Sequence, residues 1–502
     1  MAPFHSTRSD AASCDAKEAV RRGIAPDGGL YVADDLPKDL FDLDGLRDMA
    51  YRDVSARVVS ALLPGFSADE VGACVDAAYT GTFDDPQVTP VRPLGPDFAL
   101  ELFHGPTSAF KDVALQMLPQ LMARTANVAR EQGAAGRVMV VTATSGDTGK
   151  AALAGFADAP SCGIAVFYPA GKVSDVQRLQ MVTQRGANVA VCAVRGNFDD
   201  AQSAVKRTFA DEGLSSRLAK GDVSLTSANS INVGRLVPQV AYYFAAYAQL
   251  ERAGAIVPGD EVEFCVPTGN FGDVLAGYYA KRLGLPVSRL VVASNENNVL
   301  TDFLSTGVYD RRRPFHQTIS PSMDILISSN LERMLYHLSD GDCELVAHLM
   351  GQLADEGAYR VPAGLLEHVQ EVFTCGCATD DDARAAIARA WNEHGYLMDP
   401  HSACGYHVMG SLGEDARARA RVLLCTASPY KFPSAVCRAL GLYAPPDGFA
   451  CMRVLEKHTR TAAPRQLAEL EGAEVRFSDE IAPDEIPAYV ERAAERIFGE
   501  RA

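Results

Sequence analysis

From about residue 97 onward the chain alternates short apolar runs with longer stretches of helical period. Runs at 98–103, 137–143, 163–168, 188–194, 261–267, 290–293 and 421–425 read as strands. Between most of them lie segments of helical length, such as 173–185 and 273–283. The strands are apolar on both faces, which predicts a parallel α/β sheet covered by helices on either side. The first 95 or so residues are acidic, mixed and helical in pattern, apart from a turn-rich stretch, IAPDGGLYV, at 24–32. Residues 307–322, with RRRP inside, read as a mobile surface loop. The tail beyond Pro445 carries strand-like and helical pieces of its own that could cover a sheet edge.

A chain of 502 residues implies two or three domains, and 47% apolar with 22% charged residues is ordinary globular composition. The uncharged stretch 237–250 is too short to span a membrane, and MAPFHSTRSD lacks the features of a signal peptide. The expected location is therefore cytoplasmic. Lys plus Arg number 47 against 64 Asp plus Glu, a net charge of −17, which argues against nucleic acid or an anionic membrane as partner. A small anionic substrate stays open, because a local cluster of donors can hold one on an acidic protein. The twelve cysteines are scattered, many of them in apolar runs, as expected of reduced core residues. No metal is expected: Cys375 and Cys377 lack a second pair, and Asp399, His401 and His407 lack helical ligand spacing. His401 is expected to play a structural or supporting part.

Three stretches carry candidate chemistry. TATSGDTGKAA, at 142–152, follows a strand and opens a helix, but Thr144 and Ala151 stand where a P-loop needs glycine and a hydroxyl. It is either an anion site at a helix N-terminus or an ordinary capped turn. PTGNFGD, at 267–273, repeats the arrangement with Gly269 and Gly272, and it is not a dinucleotide fingerprint. Asp273 is expected to cap the following helix, leaving the loop amides to an anion. In LFHGPTSAFKDVALQ, at 102–116, Lys111 begins a helix among apolar neighbours. Burial and the helix dipole should both lower its pKa, and a neutral amine is what a Schiff base requires. One such lysine with one phosphate cradle is the minimum for pyridoxal phosphate, which leaves the other cradle for substrate.

With these segments, and with STRSD, YPAGKVSDVQRLQM, SANSINVGRLVPQ, SMDILISSNLER, DPHSACGY and TASPYKF, the chain resembles the threonine synthase family from about Ser6 to Ser434. The resemblance is to the longer bacterial and fungal form, of pyridoxal-phosphate fold type II. It implies an N-terminal unit at 1–95, a large cofactor-binding unit at 96–140 and 241–502, and a small substrate-binding unit at 141–240. It also implies that Lys111 bonds the cofactor and shuttles protons, and that Gly269, Asn270, Phe271, Gly272 and Asp273 hold the cofactor phosphate. Thr426 would face the pyridine nitrogen, where a hydroxyl favours elimination over transamination. Ser145, Gly146, Asp147 and Thr148 would meet the substrate's carboxylate or phosphate, and Ser230, Asn232 and Arg235 its phosphate. The implied substrate is O-phospho-L-homoserine, converted with water to L-threonine and phosphate. The implied protein is a monomer or homo-oligomer. Departures from the family pattern are Ser9 for glycine, Ser428 for histidine and Tyr430 for a small residue. If these line the pocket, a phospho-lyase releasing 2-oxobutyrate, ammonia and phosphate is the alternative. A relative that only binds a ligand is disfavoured by Lys111 and the two loops.

Overall fold

The computed structural model describes residues 4–33, 35–144, 146–413, 415 and 417–499. Two separate sheets organise it. The larger runs Phe373–Cys377, Val287–Ser294, Glu261–Pro267, Ala418–Cys425, Asp97–Glu101, Val91–Leu94. Every neighbouring pair is parallel except the last. The smaller sheet is wholly parallel, in the order Glu480–Ile481, Val189–Val194, Cys162–Pro169, Arg137–Ala143, Val223–Thr226. Every residue of Cys162–Pro169 is buried, as two-sided helix cover requires.

The smaller sheet takes in all of Arg137–Ala143 and a C-terminal strand, and helix Ile486–Phe498 packs on it. The units that the resemblance implied put residues 137–140 and the tail with the larger one. Glu480–Ile481 pairs beside Val189–Val194 and covers that edge, as the tail's pattern suggested. The N-terminal region is less purely helical than its pattern. Phe4–Ser6, Ser9–Cys14 and Tyr31–Ala33 form a small antiparallel sheet, and the last of these lies in the turn-rich stretch. Strands of three residues are too short to display a period of two. The 311–320 loop is anchored, with Arg313 bonded to Asp302 and Asn298 and Thr318 to Asp324.

Helix Val233–Arg252 is buried from Val233 to Glu251 and packs against Tyr51–Leu62, Lys111–Glu131 and Gly272–Arg282. It thereby locks the N-terminal region to the core. Among the described residues no helix is long and apolar enough to cross a membrane. In open parallel sheets ligands bind beyond the carboxyl ends of the strands. The segments after Arg137–Ala143, Glu261–Pro267 and Ala418–Cys425 meet, Asp147 pairing with Lys431 and bonding Ser322, which stands against Gly269.

Candidate active site

Lys111 is the first residue of helix Lys111–Glu131. The turn before it is closed by buried Asp112, which accepts from Thr107 N at 2.8 Å and Thr107 Oγ1 at 2.6 Å. Gly105 is required here, because a Cβ would stand 2.4 Å from that of Asp112. Phe110 N donates to Thr426 O at 2.8 Å and Ser428 N to Ser108 O at 3.1 Å. The lysine is therefore carried beside Thr426, just past the end of strand Ala418–Cys425.

The amine Nζ lies 3.2 Å from Ser322 Oγ and 3.8 Å from Asp147 Oδ2. Burial pushes it down to about 8, against the opposing pull of Asp147. Asp147 opens helix Asp147–Phe156, and its Oδ1 accepts from Lys431 Nζ at 2.8 Å and Gln177 Nε2 at 3.2 Å. Burial alone would raise this carboxyl, but Lys431 and Lys111 overcome burial and hold it well below the usual carboxylate range. Asp147 thus faces two lysines. An ionised carboxylate so placed would repel a substrate anion, so the structure ties Asp147 to the lysines.

The rest of the 142–152 loop is a capped turn. Thr144 Oγ1 accepts from Gly146 N and Gly149 N, each at 3.0 Å. Gly146 has φ 145°, and a Cβ there would stand 2.6 Å from the Gln177 side chain. Lys150 reaches Gln184 Oε1 at 2.5 Å and takes no part in the site. Thr148 is half-buried, and Ser145 lies outside the described residues.

The loop after strand Glu261–Pro267 stays open. Among the described residues the N–H groups of Gly269, Asn270, Phe271 and Gly272 donate no hydrogen bond. Phe271 takes left-handed backbone at φ 61° and buries its ring against Phe373, which turns successive amides to one side. Asn330 braces the loop by donating from its N to Asn270 O at 3.0 Å and from Nδ2 to Ser230 O at 3.1 Å. Ser329 Oγ joins Ser230 Oγ at 3.4 Å and Asn270 Oδ1 at 3.2 Å.

Asp273 does not cap the helix as expected. Its carboxylate turns inward and accepts from Tyr242 and Tyr243, because those phenols offer buried donors on the inner face. Burial pushes this carboxyl up to about 7, against both phenols. Its stabilising contribution is complete below the unfolded carboxyl's pKa and is lost as pH rises through about 7. Asp273→Asn should therefore flatten the fall in Tm between about pH 5 and pH 8. Parallel Tm profiles for variant and wild type would refute a buried, proton-binding carboxyl.

Arg235 is 3% exposed, and among the described residues no carboxylate pairs with it. Its Nη1 donates to Ala228 O at 2.9 Å, its Nε has no partner, and burial pushes the group down to about 10. It is near enough to Lys111 to oppose that amine's charge. Asn232 is committed locally, with Oδ1 accepting from Gly234 N at 2.8 Å and Nδ2 donating to Val20 O at 2.9 Å. That leaves Arg235, with its unpartnered Nε, and Ser230, held only by the 3.4 Å contact to Ser329, as the polar side chains of this segment placed to meet a ligand.

Sequence reasoning missed Ser322 and Gln177 as parts of this cluster, and it tied Lys431 to cofactor binding without its bond to Asp147. The signal for Lys431 is its place in TASPYKF, a lysine set in the apolar stretch PYKFPSAV. None existed for Ser322 or Gln177, which reach the site through tertiary packing. Among the described residues there is no group that could hold a metal ion, and none of the twelve cysteines is in a disulfide.

A lysine amine and an open amide loop at the carboxyl ends of parallel strands define a pyridoxal-phosphate enzyme. The model of that family, "Pyridoxal-phosphate dependent enzyme", matches residues 97–428. Models of the threonine synthase N terminus and C-terminal region match residues 3–79 and 402–488. The chain belongs to the threonine synthase family of pyridoxal-phosphate enzymes. It is 38% identical over 472 residues to the threonine synthase of Pseudomonas aeruginosa, covering 93% of this chain and 97% of that one. It is 36% identical over 470 residues to that of Schizosaccharomyces pombe, covering 88% and 90%. The structure of pyridoxal-phosphate-bound threonine synthase from Brucella melitensis superposes with a TM-score of 0.86 at 36% identity, over 98% of this chain and 100% of that one. That of yeast gives 0.86 at 31%, over 99% of each chain.

The residues fit the cofactor. A lysine lowered to about 8 is largely uncharged at mildly alkaline pH, and the unbonded amides of 269–272 are donors suited to a phosphate. Thr426, 6% exposed beside the lysine turn, supplies a neutral hydroxyl.

Proposed function

We propose that this protein is a threonine synthase that converts O-phospho-L-homoserine and water to L-threonine and phosphate. The observation that carries this reading is the pair of buried cations, Lys111 and Arg235, of which the second has no carboxylate partner. An unpaired buried guanidinium is costly, and a phosphate that accepts two of its N–H bonds offsets that cost. Lys111, Thr426 and the main chain of Gly269, Asn270, Phe271, Gly272 and Asp273 form the cofactor site in this reading, the Asp273 side chain being turned inward to the tyrosines. Ser230, Arg235 and Thr148, with the main chain of residues 146–148, form the substrate site.

Pyridoxal phosphate, when bound, supplies the electron sink that makes protons at the substrate's α and β carbons removable. Lys111 takes and returns those protons, and a pKa near 8 suits an amine that must do both. Ser230 and Arg235 receive the phosphate as it leaves the γ carbon. Asp147, after a strand of one sheet, and Gly269, after a strand of the other, both meet Ser322. Their approach would exclude water until the β carbon is ready for it. We further propose that residues near 141–240 move as the closing unit and that the protein works in the cytoplasm on this small phosphorylated amino acid.

The test is product analysis with the cofactor-loaded protein and O-phospho-L-homoserine. Threonine equal to phosphate supports the reading, whereas 2-oxobutyrate equal to phosphate replaces it with a phospho-lyase. Tyr430 bears on that choice. Its hydroxyl bonds Thr461 O at 2.9 Å and Thr461 Oγ1 at 2.8 Å, which directs it to the C-terminal segment. Tyr430→Phe should lower stability by about 1 kcal/mol in denaturant titration and leave the product ratio unchanged. A shifted ratio would put Tyr430 in the substrate's path.

A further inference from the structure

A chain of buried groups stands behind Lys111. Asp399 caps helix Pro400–Leu412, and its Oδ1 accepts from His401 Nδ1 at 2.7 Å. That leaves His401 Nε2 as an acceptor, and the main-chain N–H of Ser322 donates to it at 3.0 Å. Asp399 and His401 are 0% and 2% exposed. Ser322 Oγ points to the other side, where it donates to Asp147 Oδ2 at 3.1 Å and accepts from Lys111 Nζ at 3.2 Å. A hydroxyl has a single proton. The carboxylate claims it, and so a lone pair is turned toward the amine.

We propose that Ser322, held by the Asp399–His401 pair, is a positioning residue that aims the Lys111 amine for its proton transfers. The inference rests on the role given to Lys111 above and adds how a flexible four-carbon stem is directed. The charged groups around that amine are Asp147 on helix Asp147–Phe156, Lys431 on the 429–431 turn, Arg235 on helix Val233–Arg252 and Asp112 on its own helix. Two of these neighbours are cations, and Asp112 is occupied by Thr107. Asp147 supplies attraction at 3.8 Å, but its Oδ1 is held by Lys431, and Ser322 Oγ is the shorter contact. Asp147, held far below the usual carboxylate range, is no store for a proton. Ser322 therefore gives direction, Asp147 gives charge, and Lys111 does the transfer.

The test uses cofactor-loaded Ser322→Ala, His401→Ala, their double variant, and the conservative Ser322→Thr and His401→Gln, whose amide oxygen can replace Nε2 as acceptor. Two readouts are taken: kcat with KM, and the pH midpoint of the bound cofactor's visible absorption, which reports the nitrogen joining it to Lys111. Ser322→Ala should lower kcat roughly tenfold to a hundredfold with little change in KM. The midpoint should fall by about half a pH unit, because the protonated nitrogen loses an acceptor. His401→Ala should move both in the same direction, the double variant should be no worse than Ser322→Ala, and the conservative pair should restore most of each. An unshifted midpoint in Ser322→Ala, or additive losses in the double variant, would overturn the proposal. If His401→Ala does not fold, Ser322→Ala, Ser322→Thr and His401→Gln decide it. A wild type that forms no threonine refutes the functional reading separately, since the midpoint shift needs no substrate.

Discussion

Lys111→Ala should reduce threonine formation by about four orders of magnitude or more while leaving the protein folded. The size follows from the amine's two duties in the proposed mechanism, bonding the cofactor and moving protons at two carbons. Removing it deletes both at once, and no second base stands ready. Asp147 is held ionised by two lysines, and Lys431 is buried and bonded to Asp147 and to Thr107 O at 3.0 Å. Folding should survive, because the turn is closed by Asp112 and Thr107 and not by the lysine side chain. The variant's unbonded loop amides should still take up cofactor, now removable by dialysis and with an altered visible spectrum. Stopped assays of threonine and phosphate, with absorption before and after dialysis, check this. A variant retaining even a hundredth of the wild-type rate would move the proton-transfer role elsewhere.

Arg235→Met should cut kcat/KM for O-phospho-L-homoserine by roughly a thousandfold and yet raise stability. Losing two charge-assisted bonds to a phosphate removes about 3–5 kcal/mol of binding. In the absence of that anion the guanidinium is buried without a carboxylate, still charged at neutral pH, with Nε unsatisfied. A methionine of similar length removes that penalty and should raise Tm by a few degrees, on the order of 1–2 kcal/mol, in phosphate-free buffer. Adding inorganic phosphate should stabilise the wild type and not the variant. Equal responses to phosphate would place the anion away from Arg235.

The sheets were legible in the chain because their strands are apolar on both faces. Residues 137–143 and 261–267 agree with the observed Arg137–Ala143 and Glu261–Pro267. Phe373–Cys377 and Val223–Thr226 were not, since FTCGC and VSLT are short and mix polar with apolar residues. The site divided in the same way. Lys111 and the 269–273 loop announce themselves through an odd residue in a local setting. Asp273 was misplaced because the tyrosines that claim it lie on the preceding helix, which ends at Arg252. Ser322 and Gln177 owe their place to side chains more than a hundred residues distant along the chain or to the neighbouring helix, and no local pattern records that.

Strand Glu480–Ile481 completes a sheet whose other strands all lie before residue 227. Cys192 meets Asp479 across 287 positions of chain, and Arg137 bonds Phe498 O across 361. During synthesis the smaller sheet must therefore wait, one edge bare and its helix Ile486–Phe498 unmade, while the whole larger unit is translated. Contacts so distant in sequence close slowly. The exposed edge of Val189–Val194, six apolar residues in a row, is where a nascent chain of this protein is most open to pairing with the wrong strand.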